Sequence, residues 1–263
     1  MLFNGGSDQV FETRGLTKDF KGLRAVNNLD LSIDAEEIVG VIGPNGAGKT
    51  TVFNLVTGFL LPTRGEIVFK GENITGLKPH IIAKLGITRT FQLDRIFHDF
   101  TVLENVVIAS HFYARIGFWE AAFNTSAYRK KDGDTRNYAI KILQLVGMDD
   151  KIDEIAGNLS HGHQKLLGIA IGMAANPKLL LLDEPLAGMN PTEVARSLEI
   201  ISEIRRQGIA VLLIEHNMRA VMSICDRLVV LNFGEEIARG SPDEVRKNRQ
   251  VIRAYLGIGE YAA

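Results

Sequence analysis

Apolar residues along this chain follow two distinct patterns. Five short runs are almost continuously apolar: Ile38 to Gly43, Ile87 to Phe91, Leu179 to Leu182, Ile209 to Ile214 and Leu228 to Leu231. Such runs suit strands buried on both faces. Between two of them lies PTEVARSLEIISEIRRQG, whose spacing puts Val194, Leu198, Ile201 and Ile204 on one helical face. Asn190 can cap that helix, Pro191 suits its first turn, and Gly208 ends it. Strands alternating with helices imply a parallel sheet covered on both sides. Residues 10–37 behave differently: Leu29, Leu31 and Ile33 alternate with polar neighbours, as in strands with one wet face. Gly65 to Ile74 reads as one more exposed-face strand and Pro79 to Leu85 as a short helix. Thr101 to Gly147 is predominantly helical, with a break expected at KKDGD, Lys130 to Asp134. Ser241, Pro242 and Glu244 mark the start of a final helix.

Composition narrows the class. With 263 residues, 46% hydrophobic and 23% charged, the chain can bury a sizeable core. A net charge of −1 gives no basic field for nucleic acid, so no nucleic-acid partner is expected. Cys225 is the only cysteine, which excludes an internal disulfide and suits a reducing compartment. The longest apolar run, Leu166 to Ala175, falls well short of the roughly 20 residues a span needs. Any membrane role is therefore expected to be peripheral.

The chemistry concentrates in two places. GPNGAGKT, Gly43 to Thr50, fits G-x-x-x-x-G-K-[ST], with a strand before it and a helix after it. Glycines let backbone N–H groups turn inward around phosphate oxygens, and the helix N-terminus favours the anion. Lys49 is expected to reach the β- and γ-phosphates of a nucleotide, and the Thr50 hydroxyl to ligate Mg²⁺. LLLLDEP supplies the acidic half. Asp183, at the end of an apolar strand, is placed to hold Mg²⁺ through water, and Glu184 to orient and deprotonate a water behind the γ-phosphate.

Taken in order, the motifs resemble those of the ATP-binding subunits of ABC transporters. The fold this implies is α/β, a P-loop NTPase of the ABC type with a mostly parallel core sheet, an antiparallel β subdomain and an α-helical subdomain. Phe20 matches the aromatic that stacks on adenine. Gly43, Asn45, Gly46, Ala47, Gly48, Lys49, Thr50 and Thr51 match the phosphate loop. Gln92 of RTFQ matches the glutamine at the metal and attacking water, and His216 of IEHN the switch histidine. LSHGHQ matches the signature, through which Ser160, Gly162 and Gln164 would cap the nucleotide held by a second, head-to-tail subunit. The commonest signature has Gly at the place of His161, so that side chain is expected to point away from phosphate. His161 and His163 stand two apart on a helix and do not share a face, which disfavours a metal pair. Asn190 stands where many members have Asp.

The resemblance implies one ABC domain over residues 10–258. Residues 10–92 and 178–240 would form the nucleotide-binding core, 93–177 a helical subdomain, and 241–258 a C-terminal helix. Within the family, ITRTFQ, TVLENV, LLLLDEPLAGMNP, the run from Ile214 to Val245 and the closing VIRAYLG resemble the ATPases of branched-chain amino acid uptake. This implies an ATP hydrolase on the cytoplasmic face of the cell membrane. Its expected partners are an identical or paralogous ATPase, integral permease subunits and, indirectly, a solute-binding protein. The alternatives are an importer of urea, short amides or other amino acids, and a soluble ABC ATPase. The aromatic residues of 111–128, among them Phe118 and Trp119, read either as a docking surface or as a local helical core.

Overall fold

The computed structural model describes residues 9–90, 96–113 and 126–256. Two sheets form in it. The smaller is antiparallel, in the order β2 (Leu23–Asp34), β1 (Gln9–Phe20), β4 (Arg64–Phe69) and β5 (Glu72–Asn73). Its inward positions pair across strands, Phe11 with Ile33 and Phe69, and Leu16 with Leu29. The larger sheet has six strands in the order β10 (Glu235–Gly240), β9 (Arg227–Asn232), β3 (Ile38–Ile42), β8 (Ala210–Ile214), β7 (Leu179–Asp183) and β6 (Ile87–Arg89). All of its pairings are parallel except that of β10 with β9.

The α-helices among the described residues are α1 (Lys49–Val56), α2 (Pro79–Leu85), α3 (Val102–Tyr113), α4 (Ser126–Leu145), α5 (His161–Met173), α6 (Pro191–Arg206), α7 (Met218–Ile224), α8 (Pro242–Lys247) and α9 (Arg249–Leu256). Side-chain alternation along the parallel strands divides the core in two. Ile38, Ile42, Leu180, Leu182, Val211 and Leu213 pack with residues of α3 to α6, such as Leu103, Leu143, Leu167 and Ile201. Val39, Val41, Leu179, Leu181 and Leu212 pack instead with α1 and the antiparallel sheet, against Phe53, Phe11 and Ile67. The continuous apolar runs are thus explained by burial on both faces.

Three expectations are corrected. Gly65 to Ile74 is a hairpin, because Lys70 and Gly71 take φ of 50° and 79° and reverse the chain between β4 and β5. The KKDGD stretch does not break the helix, since α4 runs through it. Ala139 and Leu143 on that helix are fully buried, which outweighs the roughly 1 kcal/mol cost of Gly133. The strand expected to end at Phe91 ends at Arg89, and Phe91 lies outside the described residues. The charged edge strand β10 was not foreseen, for its residues are exposed or half-buried and show no apolar pattern. Among the described residues no helix is long and apolar enough to cross a membrane.

The topology places the chemistry. Ile214 at the end of β8 pairs with Val41 of β3 and with Asp183 of β7, so three carboxyl-terminal strand ends lie side by side. Ligands of open parallel sheets bind at that edge. The phosphate loop leaves β3 there, Glu184 follows β7, and His216 follows β8.

Candidate active site

The loop from Gly43 to Gly48 turns through left-handed glycines, with φ of 149° at Gly43, 80° at Gly46 and 105° at Gly48. A Cβ at Gly43 would collide with the Leu231 carbonyl, and one at Gly48 with the Ala25 carbonyl, so close backbone packing requires glycine at both. Lys49 opens α1 and is only 6% exposed. Its Nζ donates to the Gly43 carbonyl at 2.8 Å and the Pro44 carbonyl at 2.9 Å. An ammonium has three donors, so one remains for an incoming anion. Burial pushes Lys49 below the usual lysine range, while the charges of Glu184 and Asp183 oppose that shift.

Across the loop, the His216 Nε2–H donates to Glu184 Oε1 at 2.9 Å. Glu184 has a left-handed backbone, φ 48°, which is rare for a residue with a side chain. These groups line one cleft of about 520 Å³ with Phe20, Asn45, Gly46, Ala47, Gly48, Lys49, Thr50 and Thr51. Phe20 is 40% exposed and lines the cleft rather than the core, with the Lys18 ammonium 5.0 Å from its ring centroid. Arg24, Phe233 and Gly234 also line this cleft, and the sequence reading missed them. A signal was present in Phe233–Gly234, a turn pair between two strands, where Phe233 takes φ 47° and is 85% exposed.

Asp183 is held from the side by Arg89. The Arg89 Nη2 donates to Asp183 Oδ2 at 2.6 Å, and the Nη1 donates to Asn54 Oδ1 at 2.7 Å. Asp183 Oδ1 and the exposed Thr50 hydroxyl are hard oxygen donors, a set that fits Mg²⁺. Among the described residues no cluster of three or more His, Cys, Asp or Glu forms a metal centre of another kind. Gln92 lies outside the described residues, as do the side chains of 111–130.

The signature residues do not line this cleft. Ser160 caps α5, and its Oγ lies 2.8 Å from His163 Nδ1. Gly162 is buried, and a Cβ there would sit 2.7 Å from Glu193 Oε1. The Gln164 amide donates to the Ala156 carbonyl at 3.5 Å. His161 turns to the loop after β7, where its Nε2–H donates to the Ala187 carbonyl at 3.1 Å. The two histidine rings thus bond to different partners. Asn190 accepts the Thr192 and Glu193 N–H groups in a capping box at the head of α6.

Residues 26–187 match the ABC transporter family, and residues 235–261 match a second family, the branched-chain amino acid ATP-binding cassette transporter. The chain belongs to the ABC transporter family. This cassette is 44% identical over 252 residues to BraF of Pseudomonas aeruginosa, a high-affinity branched-chain amino acid transport ATP-binding protein, covering 95% of this chain and 99% of that one. It is 42% identical to LivG of Escherichia coli K12, with the same description and the same coverage. Among solved structures it superposes on the ADP conformation of MJ1267, an ATP-binding cassette of an ABC transporter. The TM-score is 0.83 at 30% identity, over 95% of this chain and 99% of the other. The cassette is accordingly a nucleotide-binding, ATP-hydrolysing transporter subunit with the ABC fold.

Proposed function

We propose that this cassette powers import of branched-chain amino acids across the cytoplasmic membrane, working from its cytoplasmic face on separate permease subunits. The observation that carries the cargo is near full-length similarity to BraF and LivG, joined by the C-terminal match at residues 235–261.

In this reading Phe20 stacks on adenine while the loop amides of Asn45 to Thr51 and Lys49 hold the phosphates. Thr50, Asp183 and Gln92 would hold Mg²⁺, which supplies positive charge to offset that of the phosphates. Glu184 takes the proton of the attacking water, and His216, bonded to its Oε1, fixes the direction of that carboxylate. Ser160 and Gly162 serve the nucleotide of a second cassette, identical or paralogous, so each site is complete only in a head-to-tail pair. Residues 93–177 act as the helical unit that moves with nucleotide state and meets the permease. Supporting this is an apolar cavity of about 580 Å³ between that unit and the core, lined by Phe97, Ile108, Ala109 and Ile171.

The test is ATP-driven uptake of labelled leucine by vesicles holding the complete complex and its solute-binding protein. Uptake of leucine, isoleucine or valine is expected. Good uptake of another solute with none of these three would overturn the cargo and leave the motor standing.

A further inference from the structure

Glu215 is a carboxylate at 3% exposure, and no step above uses it. Its Oε1 accepts the Leu186 N–H at 2.7 Å. Its Oε2 accepts the N–H groups of His216 at 2.9 Å and Asn217 at 3.3 Å. Burying a carboxylate is costly unless its lone pairs are matched, and here three backbone donors match them. Leu186 stands two residues beyond Glu184, and His216 follows Glu215 directly. A single buried side chain therefore bridges the two loops whose tips carry the Glu184–His216 hydrogen bond.

The backbone at Glu184 makes such a bridge necessary. Its φ of 48° is a left-handed conformation that costs an L-residue roughly 1–2 kcal/mol. Conformations of that kind persist when neighbouring contacts over-determine them. Glu184 is held at its N–H by the Ile214 carbonyl at 2.9 Å and at its own carbonyl by Lys165 Nζ at 3.1 Å. Glu215 supplies the restraint on the far side, through Leu186, which is itself buried. It also fixes the first two amides of the segment that carries the His216 ring.

We propose that Glu215 is the positioning residue of the hydrolytic pair: it sets the separation of Glu184 and His216 by clamping the loops after β7 and β8 to one carboxylate. The inference rests on the reading of that pair as the hydrolytic one. The chemistry distinguishes glutamate from its near-isostere. Glutamine keeps one acceptor oxygen but turns an NH₂ group toward an N–H, so one loop loses its hold while the volume is unchanged.

The experiment compares Glu215→Gln and Glu215→Ala with the parent chain, measuring turnover at saturating ATP and, separately, ATP affinity. Both variants are expected to lose about a hundredfold in kcat, the scale of a small misplacement of reacting groups, with ATP affinity unchanged within about twofold. In a His216→Ala background, Glu215→Gln is expected to cost less than about threefold, because residues acting as a unit are not additive. Parental kcat in Glu215→Gln, or an equal loss in both backgrounds, would overturn the proposal. Amide hydrogen exchange on the parent chain reads the clamp without any substitution. The Leu186 and His216 amides are expected to be protected, and rapid exchange at both would overturn it. If Glu184→Gln and His216→Ala themselves hydrolyse ATP at the parental rate, the failure lies in the assignment of the pair rather than in Glu215.

Discussion

Arg89 and Asp183 form an ion pair of 2.6 Å in which the two side chains are exposed by only 10% and 9%. The guanidinium also lies over the Phe53 ring at 5.4 Å, and its Nε is buried without a partner. A cation is thus held beside the proposed metal-binding carboxylate and cannot turn away to water.

Removing that cation leaves Asp183 buried and unpaired, which costs roughly 3–5 kcal/mol. Arg89→Met is therefore expected to lower the denaturant midpoint of the nucleotide-free chain. Adding Asp183→Asn should recover much of the loss, since both charges are then gone. A double variant as unstable as the single one would show that the guanidinium's contacts with Phe53 and Asn54 matter more than its pairing with Asp183.

Lys49→Ala removes the one buried ammonium that points into the loop. A hydrogen bond to a charged group is worth roughly 1.5–3 kcal/mol, so ATP affinity should fall by about 10- to 150-fold. Titration with a fluorescent nucleotide reads this, and unchanged affinity would contradict the phosphate-loop assignment.

Most of the phosphate site was legible because its signal is local. A strand, a glycine loop, Lys49 and a helix start follow one another within a few residues, and their chemistry does not depend on distant neighbours. Capping was legible for the same reason at Asn190 and Ser241, where both capping boxes form. Relations between strands were not. Arg89 meets Asp183 only because β6 and β7 pair in parallel, with Arg89 opposite Leu181. Glu215 merely follows the apolar run that ends at Ile214, and nothing in IEHN reveals that its carboxylate turns inward to three amides. At KKDGD the local polarity misled, because burial of Ala139 and Leu143 on the same helix decides the outcome.

The Ala187 carbonyl is tied to the signature through the His161 Nε2–H. A neutral hydrogen bond is worth about 1 kcal/mol, or about fivefold in rate if it holds the loop after Glu184. His161→Gly is expected to keep ATP affinity and lose about fivefold in turnover, whereas His161→Gln, which retains a donor, keeps most of it. Equal turnover in the two variants would reduce this contact to surface packing.

Cys225 offers a test of the core. Burial first, and then the charge of Asp226, raise its thiol from 9.0 to about 12. Below about pH 9 both folded and unfolded chains keep the proton, and the group adds no pH dependence. As pH rises from about 9 toward 12 the unfolded chain releases it while the folded chain retains it, so stability falls by roughly 1.4 kcal/mol per unit. Urea unfolding at about pH 8 and about pH 10 should show a larger drop for the parent than for Cys225→Ala. Identical drops would mean that the thiol is open to solvent.

The most direct measurement is phosphate release by Glu184→Gln at saturating ATP and Mg²⁺, made alongside nucleotide affinity. Glutamine keeps the shape of the side chain but cannot accept the proton of water, and general-base catalysis contributes roughly 10²–10⁴-fold. The expected result is turnover below about a hundredth of the parent with ATP affinity retained, so that the nucleotide stays bound and unhydrolysed. Turnover at the parental rate would contradict the account, for the carboxylate beside His216 would then not be the group that activates water.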